Sequence, residues 1–177
     1  HAGSIERALQ AIVAHHDALR LRFSRGSGGT WKSSHVPVAE AGIALPVVMV
    51  DRFGTPETDE IIQREGGKVQ GSLDLAKGPV FGAVLFKARD NSAARLLMVA
   101  HHLVLDGLSW RIIVEDLITA HGQASRSQPI ALPPKTMSFA SWASLLGKHA
   151  RSPEVQAERA WWAAESAAPA ARVKRDT

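Results

Sequence analysis

Apolar positions along the chain recur with two different periods, and the switches between them predict the elements. Ile5, Leu9, Ile12, His16 and Leu19 stand at helical spacing behind Ser4, a candidate N-cap, and predict an amphipathic helix with His16 on its apolar face. Leu19-Arg20-Leu21-Arg22-Phe23 then alternates strictly, the two-residue period of a half-buried strand. Gly26-Ser27-Gly28-Gly29 signals a turn, and Thr30-Trp31-Lys32 begins a returning strand. Val47-Val48-Met49-Val50 predicts a short apolar strand ended by Asp51. Thr55-Pro56 supplies a cap and a first-turn proline for a helix to about Gln70, which Gly66-Gly67 should weaken or break.

The heart of the sheet is expected at residues 80–87 and 94–101, two apolar runs joined by the polar loop Arg89-Asp90-Asn91-Ser92. Trp110, Ile113, Val114 and Leu117 mark the buried face of a helix ending near His121-Gly122. After a loop over residues 123–137, one helix should turn Phe139, Trp142, Leu145 and Leu146 inward. Another, opened by Ser152-Pro153, carries Trp161-Trp162. Trp110, Trp142, Trp161 and Trp162 are expected as core or helix-docking residues, and residues 167–177, Ala-rich and then basic, as a linker. The predicted fold class is α/β (an α+β sandwich): one mostly antiparallel sheet with helices packed on it, without regular βαβ alternation. No strand is followed by Gly-x-Gly-x-x-Gly, which argues against a dinucleotide fold.

Composition narrows the chemistry. With no cysteine among 177 residues, disulfides, zinc–thiolate sites and a thiol nucleophile are excluded. No stretch approaches the roughly 20 apolar residues that span a bilayer, and no basic-then-apolar leader marks the chain for export, so no membrane partner and a cytoplasmic location are expected. The net charge of +4 comes from scattered residues, among them Arg20, Arg22, Arg25, Lys87, Arg89, Arg172, Lys174 and Arg175. Without tyrosine or a stacking ladder they predict no nucleic acid, and suit an acidic protein partner as well.

The chemistry concentrates in His101-His102-Leu103-Val104-Leu105-Asp106-Gly107, where an apolar strand ends and an Asp-Gly turn opens a helix. Adjacent strand residues face opposite ways, so the two imidazoles cannot converge on one centre, and no metal is expected there. One ring should be exposed and the other turned back into the fold. The exposed ring is a natural general base, because free imidazole titrates near 6.5. Asp106 can cap the helix or pair with a histidine or arginine, and Gly107 allows a tight turn and close helix–strand approach. Ser109 is a cap or a nucleophile; without a Gly-x-Ser-x-Gly elbow the cap is favoured. In His15-His16-Asp17, packing and hydrogen bonding explain His16 better than function does.

His101 to Gly107 matches the His-His-x-x-x-Asp-Gly signature of the condensation-domain superfamily of nonribosomal peptide synthetases. The run from Ala14 through His15-His16-Asp17 to Phe23 resembles that family's early helix-to-strand motif, residues 73–80 its segment before the central strands, and Trp161-Trp162 its late aromatic marker. The resemblance covers nearly the whole chain. It implies a chloramphenicol-acetyltransferase-like lobe over residues 1–166, one of two that form a V with the active-site tunnel between them. The family domain is roughly three times a typical domain of about 150 residues. The resemblance therefore implies that this chain holds only the first lobe, lacks its opening strand, and lacks the C-terminal lobe with its glutamate.

Within the family pattern His102 would be catalytic, supported by His101, Asp106, Gly107, Ser109 and Trp110. No cofactor would be bound directly: the substrate arrives on the phosphopantetheine of a peptidyl carrier protein, which with the missing lobe is the implied partner. Peptide-bond-forming members carry Arg-His-Glu where this chain has His15-His16-Asp17. Residues 106–112 and 132–142 look more like epimerization domains, which invert the Cα of a carrier-bound aminoacyl or peptidyl thioester. A condensation lobe, a non-catalytic carrier-docking or remnant lobe, and a small coenzyme A acyltransferase are the alternatives. The chain alone would then have little or no activity.

Overall fold

A computed structural model of the chain describes residues 1–167; the predicted linker, apart from Ala167, lies outside the described residues. The chain divides into two compact units, residues 1–134 and the segment from Lys135 onward. The first unit opens with helix α1 (Ala2–His15), which begins at His1 rather than at the expected cap: the Ser4 hydroxyl donates to the His1 carbonyl inside the first turn at 2.7 Å. Helix α1 buries Ala8, Leu9, Ile12 and Val13. It stops one residue short of His16, whose backbone is extended at φ −89°, ψ 99°. The expected strand at 19–23 starts later, because Asp17–Arg20 form a short 3-10 turn.

Arg20 explains that turn. The guanidinium is buried and donates to the carbonyls of Val13 and Ala14 at 2.8 and 2.7 Å, to Asp17 Oδ1 at 2.6 Å and to the Val36 carbonyl at 3.2 Å. It thereby satisfies carbonyls that the end of α1 leaves open. Strands β1 (Leu21–Arg25) and β2 (Trp31–His35) follow as an antiparallel ribbon, with Leu21 opposite His35.

The ribbon is a separate sheet. Strands β3 (Val47–Val50), β4 (Phe81–Ala88) and β5 (Ala94–Ala100) form a second one in the order β3-β4-β5, so the single sheet expected from sequence is two among the described residues. β3 and β4 are parallel and joined through helix α2 (Pro56–Gly71), a βαβ unit that the sequence reading did not anticipate; β4 and β5 are antiparallel. Asn91, at φ 59° in the β4–β5 loop, takes a left-handed conformation that asparagine tolerates.

Central strand β4 is buried on both faces, which is why it reads as an unbroken apolar run. Phe81 and Ala83 share a core with α1 and helix α3 (Gly107–Ser125), joined by Leu96, Met98 and Ala100 of β5. Val84 and Phe86 face the other way, against Val50, Ile61, Ile62, Val69 and Leu97. Pairing of Ala83 with Met98 and of Val84 with Leu97 keeps the two faces in register.

Gly66 does not break α2. A Cβ there would lie 2.7 Å from Leu97 Cδ2, and one on Gly82 would lie 2.8 Å from Val69 Cγ1. The missing side chains let helix and sheet approach.

Helix α3 runs past Gly122 to Ser125, longer than expected. Its buried stripe is Ile113, Asp116, Leu117, Ala120 and Ala124, and Val114 is 39% exposed instead of buried. A helix turns about 100° per residue, so 113, 117, 120 and 124 share a face that 114 leaves.

The second unit comprises helices α4 (Phe139–His149), capped by Ser138, and α5 (Pro153–Ala167). Neither contains a buried residue. Phe139, Trp142, Leu145 and Leu146, expected inward, are exposed, as are Trp161 and Trp162, whose rings meet edge to face at 4.6 Å. The helical period located the apolar face correctly, but periodicity says nothing about what covers it. Among the described residues no helix is long and apolar enough to cross a membrane.

Candidate active site

The histidine pair lies just beyond the end of β5. The His101 N–H still pairs with the Val80 carbonyl at 2.9 Å, extending the register of the sheet by one bond. The chain then folds back in a β-turn closed by the Val104 N–H donating to the His101 carbonyl at 3.0 Å. His102 occupies the first corner of that turn and is exposed, whereas His101 is half-buried. The exposed ring was expected, but its cause differs: the turn corner, and not strand alternation, presents it.

His101 has a task within the turn. Its Nδ1 accepts the Leu103 N–H at 3.1 Å. A neutral ring accepting there carries its proton on Nε2. Past the turn, Leu105 is buried and Val104 half-buried against the α1–α3 core, fixing the inner side of the loop.

Asp106 is the N-cap of α3. Its Oδ1 accepts the Ser109 N–H at 2.8 Å and the Ser109 hydroxyl at 2.6 Å. The Ser109 hydroxyl, then its N–H, and lastly the charge of His102 hold the Asp106 carboxyl below the usual range, against a smaller opposing effect of burial. His102 therefore sits in the field of a fixed carboxylate. Of the alternatives for Asp106 the cap is what the structure contains, and Ser109 supplies its two donors.

Gly107 is a correction. A Cβ at that position would meet nothing within 4 Å, and its φ is not positive, so neither close approach nor a tight turn requires glycine. Trp110 is half-buried against the α1–α3 core, its ring centroid 6.4 Å from that of Phe81. It braces the first turn of α3 on β4.

Of the five expected supporting positions, His101 accepts the Leu103 N–H inside the turn and Asp106 lies close enough to feel the charge of His102. Leu103, Leu108 and Ile112, all exposed, flank it in the chain. A small cavity of about 140 Å³, lined by His16, Leu19, Val104, Leu105, Ser109 and Ile113 among others, lies between the loop and the end of α1. Among the described residues neither His101 nor His102 belongs to a group of three residues able to hold a metal. The arrangement can offer and take up one proton at an exposed nitrogen near a carboxylate.

Sequence reasoning missed Asp116. Its Oδ2 lies 2.9 Å from His16 Nε2, tying the end of α1 to α3 across 100 residues. Acidic residues are common on helices, and nothing in the local pattern sets this one apart. The hydrogen bonding expected for His16 is present.

Comparison with known proteins places the chain in a family. The family model described as "Condensation domain" matches residues 1–174. One of the linear gramicidin synthase proteins of Brevibacillus parabrevis is 42% identical over 161 residues, which cover 89% of this chain and 2% of that protein. The chain therefore spans only a small part of such a relative. The crystal structure of the epimerization domain from the third module of tyrocidine synthetase B superposes with a TM-score of 0.84 at 34% identity, over 97% of this chain and 38% of that one. A condensation domain that mediates chain release from the enacyloxin polyketide synthase superposes with a TM-score of 0.66 at 22% identity, over 93% of this chain and 30% of its own, a likeness of fold alone.

Proposed function

The chain belongs to the condensation-domain family, and on that premise we propose that residues 1–166 are the lobe carrying the catalytic His102 of an epimerization-type domain in a nonribosomal peptide synthetase. The observation that carries the reading is the likeness, over nearly the whole chain, to the epimerization domain of tyrocidine synthetase B.

In this reading an aminoacyl or peptidyl residue arrives as a thioester on the phosphopantetheine of a peptidyl carrier protein. The neutral His102 imidazole takes the Cα proton, leaving a thioester enolate, and a proton delivered to the opposite face inverts the centre. His101 holds the turn, Asp106, Ser109 and Trp110 hold the start of α3, and Gly107 lies between them. A second lobe of the domain supplies the other wall of the site and a glutamate partner, without which residues 1–166 have little or no activity, and the domain works in the cytoplasm.

The test uses the complete protein with its carrier loaded with an L-aminoacyl group in deuterated water. Loss of a general acid–base typically costs about 10²- to 10⁴-fold, so His102→Ala should suppress deuterium uptake at Cα by that factor. Exchange that persists in the variant overturns the assignment of His102. The second reading is a condensation lobe. A wild-type protein that joins two loaded carriers without any Cα exchange has that function. Carrier binding without either reaction identifies a docking or remnant lobe.

A further inference from the structure

The one group of three candidate metal ligands among the described residues is His15, His16 and Asp116, which includes neither His101 nor His102. Chain direction brings the two adjacent histidines together. His15 is the last residue of α1 and His16 is extended, so the rings meet edge to face with centroids 4.9 Å apart at 77°. Helix α3 delivers the third residue through the stripe it buries against α1. The ligand atoms of all three lie within 4.8 Å of one another, and the side chains of His16 and Asp116 are only 20% and 13% exposed.

We propose that His15, His16 and Asp116 form a binding site for a borderline divalent cation of the zinc type, clipping the end of α1 to α3. Zinc takes imidazole nitrogen and carboxylate oxygen at about 2.0–2.2 Å, which puts tetrahedral ligands roughly 3.3–3.5 Å apart. To reach that geometry the His16–Asp116 pair, now 2.9 Å apart, must open by a few tenths of an ångström and His15, whose ligand atom lies within 4.8 Å of both, must swing toward them. A cation takes the place of the proton between His16 Nε2 and Asp116, and His15 closes the third side. Two imidazoles and one carboxylate select against magnesium and calcium, which require oxygen donors, and three protein ligands leave a fourth position for water. The Asp116 contribution could not have been foreseen from the His-His-Asp run, whose own Asp17 is engaged by Arg20.

Titration of the chain with zinc chloride alone, followed by calorimetry and thermal unfolding, tests the site. His15→Ala is the decisive variant, because His15 belongs to neither core; circular dichroism should show its fold intact. The wild type should bind one equivalent of zinc that His15→Ala lacks, and its unfolding temperature should rise with zinc in a way the variant's does not. Asp116→Asn, where folded, should bind at least about tenfold more weakly, and magnesium chloride should do nothing. Equal zinc uptake and equal thermal response in wild type and His15→Ala, or no uptake by the wild type, overturns the proposal.

Discussion

One oxygen of Asp106 accepts both donors of Ser109, the N–H at 2.8 Å and the hydroxyl at 2.6 Å, so a single residue holds the carboxylate whose field reaches His102. The hydroxyl is the leading cause of the depressed carboxyl pKa. Ser109→Ala should move that pKa back up toward the ordinary value of about 3.9, as followed by NMR titration of the Asp106 side-chain carbonyl. An unchanged midpoint would eliminate the hydroxyl as the cause. Because the folded value is lowered, the cap stabilises the chain fully above the unfolded value and loses its contribution as pH falls through the folded one. Asp106→Asn should therefore flatten the acid limb of the stability curve and leave its slope near neutrality unchanged.

His102 should separate chemistry from stability. The ring stands exposed at a turn corner, so His102→Ala should change the unfolding free energy by less than about 0.5 kcal/mol. Chemical denaturation measures this directly. A substantially larger loss would mean that the ring supports the loop.

Gly82 lets β4 approach α2 closely. An added Cβ would lie 2.8 Å from Val69 Cγ1, on a β-branched side chain with little rotational freedom. Gly82→Ala should cost about 1–3 kcal/mol through overpacking, visible as a lowered denaturation midpoint. A neutral result would show that α2 can shift outward without loss.

The two units should respond differently to truncation of apolar side chains. Phe86 is 1% exposed at the centre of the α2 face, and Phe86→Ala should cost about 3–5 kcal/mol. Leu146 is 46% exposed, and Leu146→Ala should cost less than about 0.5 kcal/mol in this chain. Comparable losses at both positions would mean that the α4 face is covered in solution.

What could be read from sequence follows the range of the interactions. Strand β4 was legible because burial on both faces leaves a continuous apolar run, β5 because Leu96 to Ala100 is apolar and half-buried, and α2 because Thr55-Pro56 announces its start. Arg20 looked like the outward residue of a strand, yet it is buried because it accommodates the end of α1, a contact invisible to alternation. Val114 was misplaced because four positions cannot fix the axis of a helix five turns long. The tryptophans of α4 and α5 were expected inside because apolar faces are normally covered, and the pattern holds no information about the cover. At the candidate site the residue set was legible, but the presentation of His102 depends on the Val104–His101 bond, which only the folded loop reveals.

The turn that carries His102 is fastened on either side. The His101 N–H is held by Val80, the turn is closed at Val104, and Asp106 starts a helix of 19 residues immediately downstream. Little backbone freedom remains for a reacting partner to remove. What is left to order is the rotation of the imidazole about its two side-chain bonds. Immobilising a side chain at an interface costs about 0.5–1.5 kcal/mol, whereas fixing the backbone of a floppy loop costs about 1–2 kcal/mol for each residue. The fold has met the larger entropic cost in advance, and a molecule that docks against this imidazole meets only the smaller one.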